Sequence, residues 1–181
     1  MNTEQAYDIE ASKCKSLFSN KLKDYGCAWR VLRLPSYTDQ LYIKAQRLRT
    51  IQSNNSQKVK DSQEDEFKGL VNYSVMALIQ ITLGIVDHPD LTTEEAEKYY
   101  DEQLNKSKTL MLNKNHDYSE AWREMRISSL TDLIYQKLLR IKSIENNQGK
   151  TIVSEGVKAN FQDIINYALF ALILMNEKKT E

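Results

Sequence analysis

The chain has 181 residues, 41% of them hydrophobic, and its 25 Lys and Arg are matched by 25 Asp and Glu. That is enough apolar material for a core that folds without staples, and the neutral balance gives no global field to gather nucleic acid or an anionic membrane surface, so neither is expected as a primary partner. Residues 1–10 are polar, no apolar run reaches the length of a membrane span, and the two cysteines, Cys14 and Cys27, fall in one half of the chain; a cytoplasmic protein with free thiols is expected.

Five Gly and two Pro leave few turns and favour long helices. In chain order, a first helix is predicted from residue 3 to about 23, followed by the phrase KDYGCAWR at 23–30 and a short helix around AWRVLR. Residues 38–51 carry an amphipathic stripe, Leu41, Ala45, Leu48 and Gln52, with Thr38 as N-cap and Asp39 in the first turn. Lys44 and Arg47 project together from a neighbouring face at i, i+3 spacing. A polar loop at 52–65, in part a helical extension, leads to FKGLVNYSVMALIQITLGI, a run apolar nearly all round and therefore a central buried helix. Pro89 marks a boundary at 86–91, and a helix from 92 to about 115 starts on a Thr-Thr-Glu-Glu cap. HDYSEAWR at 116–123, a short helix around AWREMR, a stripe of Ile134, Leu138 and Ile141 behind Thr131 and Asp132, a loop at 145–156 and the central run FQDIINYALFALILM complete the chain.

The second half repeats the first. Asp24, Tyr25, Ala28, Trp29 and Arg30 recur 93 positions later as Asp117, Tyr118, Ala121, Trp122 and Arg123, and Lys44 and Arg47 recur as Lys137 and Arg140. After one inserted residue the offset becomes 94, and Phe67, Asn72, Tyr73 and Ala77 match Phe161, Asn166, Tyr167 and Ala171. The pattern predicts an all-α helical bundle built from two tandem repeats, residues 1–86 and 92–181 around a linker at 87–91. The repeats should pack as one globular unit with internal pseudo-two-fold symmetry, their central helices burying one another.

DYGxAWR, then T-D-x-x-x-x-K-x-x-R, then N-Y-x-x-x-A-L-I, covering each repeat almost whole, resembles the nucleotide modification associated domain of the first type. That resemblance implies kinship with the all-α nucleoside triphosphate pyrophosphatases of the MazG and dimeric dUTPase kind. In that superfamily a carboxylate cluster, commonly E-E-x-x-E with E-x-x-D, holds magnesium against triphosphate oxygens. The nearest run here, Glu94-Glu95-Ala96-Glu97, has a different spacing and sits in a helical first turn. The implied function is a nucleotide-binding, magnesium-dependent pyrophosphohydrolase-like enzyme. The alternative is a non-catalytic nucleotide sensor or helical interaction module, and a homo-oligomer is compatible with either.

Several residues have two readings. Asp24 and Asp117 are catalytic or metal-ligating, or else caps, since Asp117-Tyr-Ser-Glu120 has capping-box spacing. Asp39 and Asp132 are metal ligands or first-turn acids, with Glu155, its counterpart Asp61, and Asp163 in reserve; Gly69 stands at the counterpart of Asp163. Lys44, Arg47, Lys137 and Arg140 contact phosphate or form a solvated, salt-bridged face. Asn72 and Asn166 hydrogen-bond each other to fix register, or read a base, with Tyr73 and Tyr167 alongside. Trp29 and Trp122 anchor the core or stack on a base. His88 and His116 are unmatched between the repeats, and no phosphate-binding loop, zinc cluster or nucleophile elbow is present.

Overall fold

Asn2, Ser62 and Thr92 each accept from the backbone N–H three residues on, and the side chains of Gln5, Asp65 and Glu95 accept from the backbone N–H of the respective cap residue, so three helices start on complete capping boxes. The computed structural model describes residues 1–54 and 62–180, which leaves Asp61 outside the described residues. It contains α1 (Thr3–Tyr25), α2 (Leu34–Asn54), α3 (Gln63–Leu83), α4 (Thr93–Tyr118), α5 (Ile127–Asn146) and α6 (Val157–Thr180). Short 3₁₀ turns at Ala28–Val31 and Ala121–Glu124 precede α2 and α5, and the described residues include no strand. The fold is all-α. Both ends of the polar 52–65 stretch are helical, since α2 reaches Asn54 and α3 begins at Gln63.

Two helix starts differ from the sequence expectation. The second helix of each repeat begins at Leu34 or Ile127, ahead of the threonine, so Thr38 and Thr131 are interior and fully buried rather than N-caps. Pro35 is tolerated in a first turn because its missing N–H would have had no helical partner. The threonine hydroxyls find partners across the bundle: Thr38 donates to Glu145 at 2.7 Å, and Thr131 accepts from Gln52 at 3.0 Å. Asp117 caps nothing, because α4 runs on to Tyr118 and closes at Ser119 in a left-handed conformation.

The central helices α3 and α6 form the most extensive helix pairing, α2 and α5 pack on them and on each other, and α1 and α4 touch both central helices. One hydrophobic cluster runs through both repeats. Its polar contacts occur in exchanged pairs. Tyr100 donates to Asn72 Oδ1 at 2.7 Å and Tyr7 donates to Asn166 Oδ1 at 2.9 Å. Asn72 Nδ2 donates to the Cys14 carbonyl and Asn166 Nδ2 to the Ser107 carbonyl, both at 3.1 Å. The two asparagines therefore do not bond each other; each joins its own repeat's first helix to a tyrosine of the other repeat. At the α2–α5 seam Tyr42 and Tyr135 share a hydroxyl contact at 3.0 Å, while Arg49 pairs with Asp132 and Lys142 with Asp39.

The arginine of the repeated phrase locks each 3₁₀ turn. Arg30 is 1% exposed and holds both oxygens of Asp90, at 2.9 and 3.2 Å, together with Gln80 Oε1 and the Gly84 carbonyl at 2.8 Å. Gln80 in turn donates to the carbonyls of Arg30 and Leu32 at 2.7 Å. The turn is thereby tied to the end of α3. Its counterpart Arg123 is less buried, bonding Glu120 at 3.0 Å, Glu177 and Thr3. Arg30→Met is expected to cost about 2–4 kcal/mol, because buried acceptors lose their donor, and Arg123→Met about 1 kcal/mol or less. Urea denaturation checks the order; equal costs would contradict the unequal roles.

Candidate functional site

At the C-terminal end of α1, the 3₁₀ turn and one face of α3 enclose a cavity of about 500 Å³, lined in part by Lys21, Tyr25, Ala28, Trp29, Asn72 and Tyr73. Beside α4, the second turn and α6 lies another of about 480 Å³, lined in part by Lys114, Tyr118, Ala121, Trp122, Asn166 and Tyr167. These six residues are the matched positions of the two repeats, identical in type. The phrase recurs because it builds a pocket twice: it ends the helix, sets a tyrosine at the rim and a tryptophan in the wall, and locks the turn with arginine.

Tyr25 and Tyr118 are 73% and 72% exposed, open aromatic surfaces at the two mouths. The tryptophans are turned to the protein. Trp122 is 8% exposed, stacked on Phe170 at 4.2 Å between ring centroids, with the Arg123 guanidinium 4.6 Å over its ring. Two such neighbours cannot share one face, so both faces of this indole are occupied. Trp29 packs against Phe18 at 6.2 Å. The indole N–H of each is buried and unpartnered among the described residues. Asn72 and Asn166 form part of the pocket walls, and their amides are committed to the cross-repeat bonds.

The charged groups differ between the pockets. In the first, Lys44 passes over Gly69, where an added Cβ would meet Lys44 Cε at 2.9 Å, and reaches Glu66 at 3.5 Å; Arg47 bonds the other oxygen of Glu66. Glu66 is 5% exposed. In the second, Asp163 stands where Gly69 does and takes Lys114 at 2.8 Å on Oδ1 and Lys137 at 2.7 Å on Oδ2. Burial opposes the charge on Lys114, but the Asp163 bond and charge outweigh it and hold the ammonium pKa above its ordinary value. Asn160 replaces Glu66 and donates to the Gly156 carbonyl at 2.9 Å.

Of the residues singled out in the sequence, the structure brings Trp29, Lys44 and Asn72 together in the first pocket, and Trp122, Asn166 and Asp163 in the second. Lys137, Arg140 and Glu155 line an adjoining cavity of about 940 Å³. Arg47 does not line the first pocket and is linked to it through Glu66. Asp24 is exposed and Asp117, 76% exposed, meets His116 at 3.2 Å. Asp39 and Asp132 lie in the seam ion pairs, away from both pockets.

Among the described residues no group of three or more His, Cys, Asp or Glu is placed to hold a metal ion. Both oxygens of Asp163 and both of Glu66 are already held by cations, and Asp65 is spent on the α3 cap. This donor set does not fit magnesium, which needs free carboxylate oxygens. Lys21 and Lys114 were not among the expected site residues, although their matching offset marked them; Glu66 carried no such mark, having Asn160 as its counterpart.

A family model, nucleotide modification associated domain 1, matches residues 21–81 and 114–175. The chain belongs to the nucleotide modification associated domain 1 family. In this member each matched segment opens on the pocket lysine, Lys21 or Lys114, and closes on equivalent residues of the central helix. No curated protein and no solved structure matches the chain. No helix among the described residues is long and apolar enough to cross a membrane.

A raised lysine pKa contributes stability that is fully present below the unfolded-state value and is lost as pH climbs through the folded-state one. Asp163→Asn is therefore expected to lower the Lys114 pKa, read by NMR titration, and to remove the part of the wild-type stability loss that falls above about pH 10. An unshifted Lys114 titration would contradict the pairing.

Proposed function

We propose that this protein binds nucleotide in its repeat-built pockets, with the base stacked on the exposed tyrosine at a mouth and the phosphates drawn to the neighbouring cations. The observation that carries this reading is the identity of the six matched lining residues, kept in both repeats around cavities of nearly equal volume. Cavities of this size lie in the range of small-molecule sites, which join apolar walls to a few placed polar groups. An open tyrosine face supplies stacking that every base can accept. Lysine ammonium groups meet phosphate as compact point charges.

The pyrophosphohydrolase chemistry of the MazG kind depends on magnesium held by carboxylates. Among the described residues the acids that could supply it are dispersed or already paired with cations, so neither pocket offers the carboxylate set that such a step requires. The geometry favours recognition without turnover, the sensor or binding-module reading.

Isothermal titration with mono-, di- and triphosphate nucleosides, with and without a chelator, tests this. Binding is expected to persist in the chelator, and the double variant Tyr25→Ala, Tyr118→Ala should weaken it by about tenfold or more with an unchanged helical spectrum, both side chains being exposed. Absence of binding by every nucleotide would overturn the reading. Magnesium-dependent release of pyrophosphate would replace it with the catalytic one.

A further inference from the structure

We infer that the two pockets are unequal, that the second repeat takes the nucleotide, and that Arg140 receives its phosphate; this rests on the nucleotide reading above. Matched positions carry different charges. In the first repeat Lys21, Lys44 and Arg47 share space with Asp65 and Glu66, three cations against two carboxylates. In the second Lys114 and Lys137 are both held by Asp163, Arg140 lines the adjoining cavity with Glu155, and Ala159 and Asn160 stand at the positions of Asp65 and Glu66. The difference is one of position. Both acids are buried, but Glu66 clasps Lys44 and Arg47 whereas Asp163 clasps Lys114 and Lys137, so the arginine of the first repeat is tied to an internal carboxylate and that of the second is not. Asn160 turns instead to the Gly156 carbonyl, and Arg140 is exposed with no ion pair or hydrogen bond among the described residues.

Arg140 is also in the right place. It lines the cavity next to the second pocket together with Lys137 and Lys150, with Glu155 as the acid of that rim. Lys137 spans the two cavities, since it bonds Asp163, which lines the second pocket. The charge of Arg140 reaches the pocket itself: burial raises the Tyr167 phenol above its ordinary pKa, Asp163 adds to that, and Lys114 and Arg140 pull against it. A free guanidinium is the side chain best shaped for two phosphate oxygens.

A second contrast points the same way. Asn115 lines the second pocket with its Oδ1 buried and unpartnered, whereas its counterpart Leu22 offers the first pocket only an apolar surface. The second repeat therefore joins a guanidinium unpaired among the described residues to a buried, unpartnered amide oxygen in the pocket wall. The first has an ammonium, Lys21, unpaired among the described residues, in place of the guanidinium, and no such amide.

Titration calorimetry on the full chain, with ATP and separately with inorganic pyrophosphate, tests the assignment. Wild type is expected to bind one nucleotide. Asn160→Glu, which restores the clasp seen around Glu66, should weaken ATP and pyrophosphate by about tenfold or more. Arg140→Gln should do the same while leaving adenosine binding unchanged, and circular dichroism should show both variants folded. Glu66→Asn should undo the clasp on Lys44 and Arg47 and add a second, weaker site. Two equal sites in wild type, or full affinity in both Asn160→Glu and Arg140→Gln, would overturn the inference. If no nucleotide binds but pyrophosphate does, and is lost in Asn160→Glu, the anion site stands and the nucleotide reading falls.

Discussion

Two buried side-chain amides hold this molecule together. Asn72 and Asn166 are buried in the central helices, where an amide without partners destabilises. Each solves the problem in the same way, donating to a carbonyl of its own repeat's first helix and accepting from a tyrosine hydroxyl of the other repeat. One repeat alone supplies only half of that shell. The exchange fixes the register of α3 against α6 and draws α1 and α4 onto both. Since each asparagine is also part of a pocket wall, the contact that joins the repeats also sets the shape of the pockets.

Around that fixed framework the two repeats have diverged in charge rather than in shape. The tyrosine rim, tryptophan wall and lysine survive at matched positions, while the carboxylate has moved by one helical turn, from Glu66 to Asp163. Such a move leaves the packing in place, because both positions face the same groove. It changes which cation is neutralised. In the first repeat Lys44 and Arg47 share an acid and Lys21 has no ion pair among the described residues; in the second Lys114 and Lys137 share one and Arg140 has none. Duplication within one chain permits this specialisation, which two identical subunits could not achieve.

Much of the fold was legible because helical periodicity and the repeat offset are written directly in residue order. The pairing of α3 with α6 followed from their lack of a polar face. Helix starts were harder to read: a threonine before an apolar stripe looks like a cap, and only the tertiary partners Glu145 and Gln52 make it an interior residue. The acids of the repeated phrase misled for a related reason. Asp24 and Asp117 recur faithfully yet face solvent, whereas Arg30, close to Asp24 in the phrase, is the buried anchor. Recurrence shows that a position is constrained without showing whether a ligand or the core imposes the constraint. Glu66 lay beyond sequence reasoning because its importance comes from an acid displaced between repeats, visible only once Lys44 and Arg47 are seen to converge on it.

The interdependence of the repeats is tested most directly by a double-mutant cycle on Asn72 and Tyr100, using Asn72→Ala, Tyr100→Phe and the pair in urea unfolding. A coupling of about 1 kcal/mol or more is expected, with all helical signal lost in one transition. Additive single effects, or two separate transitions, would mean that the repeats stand side by side without holding each other in place.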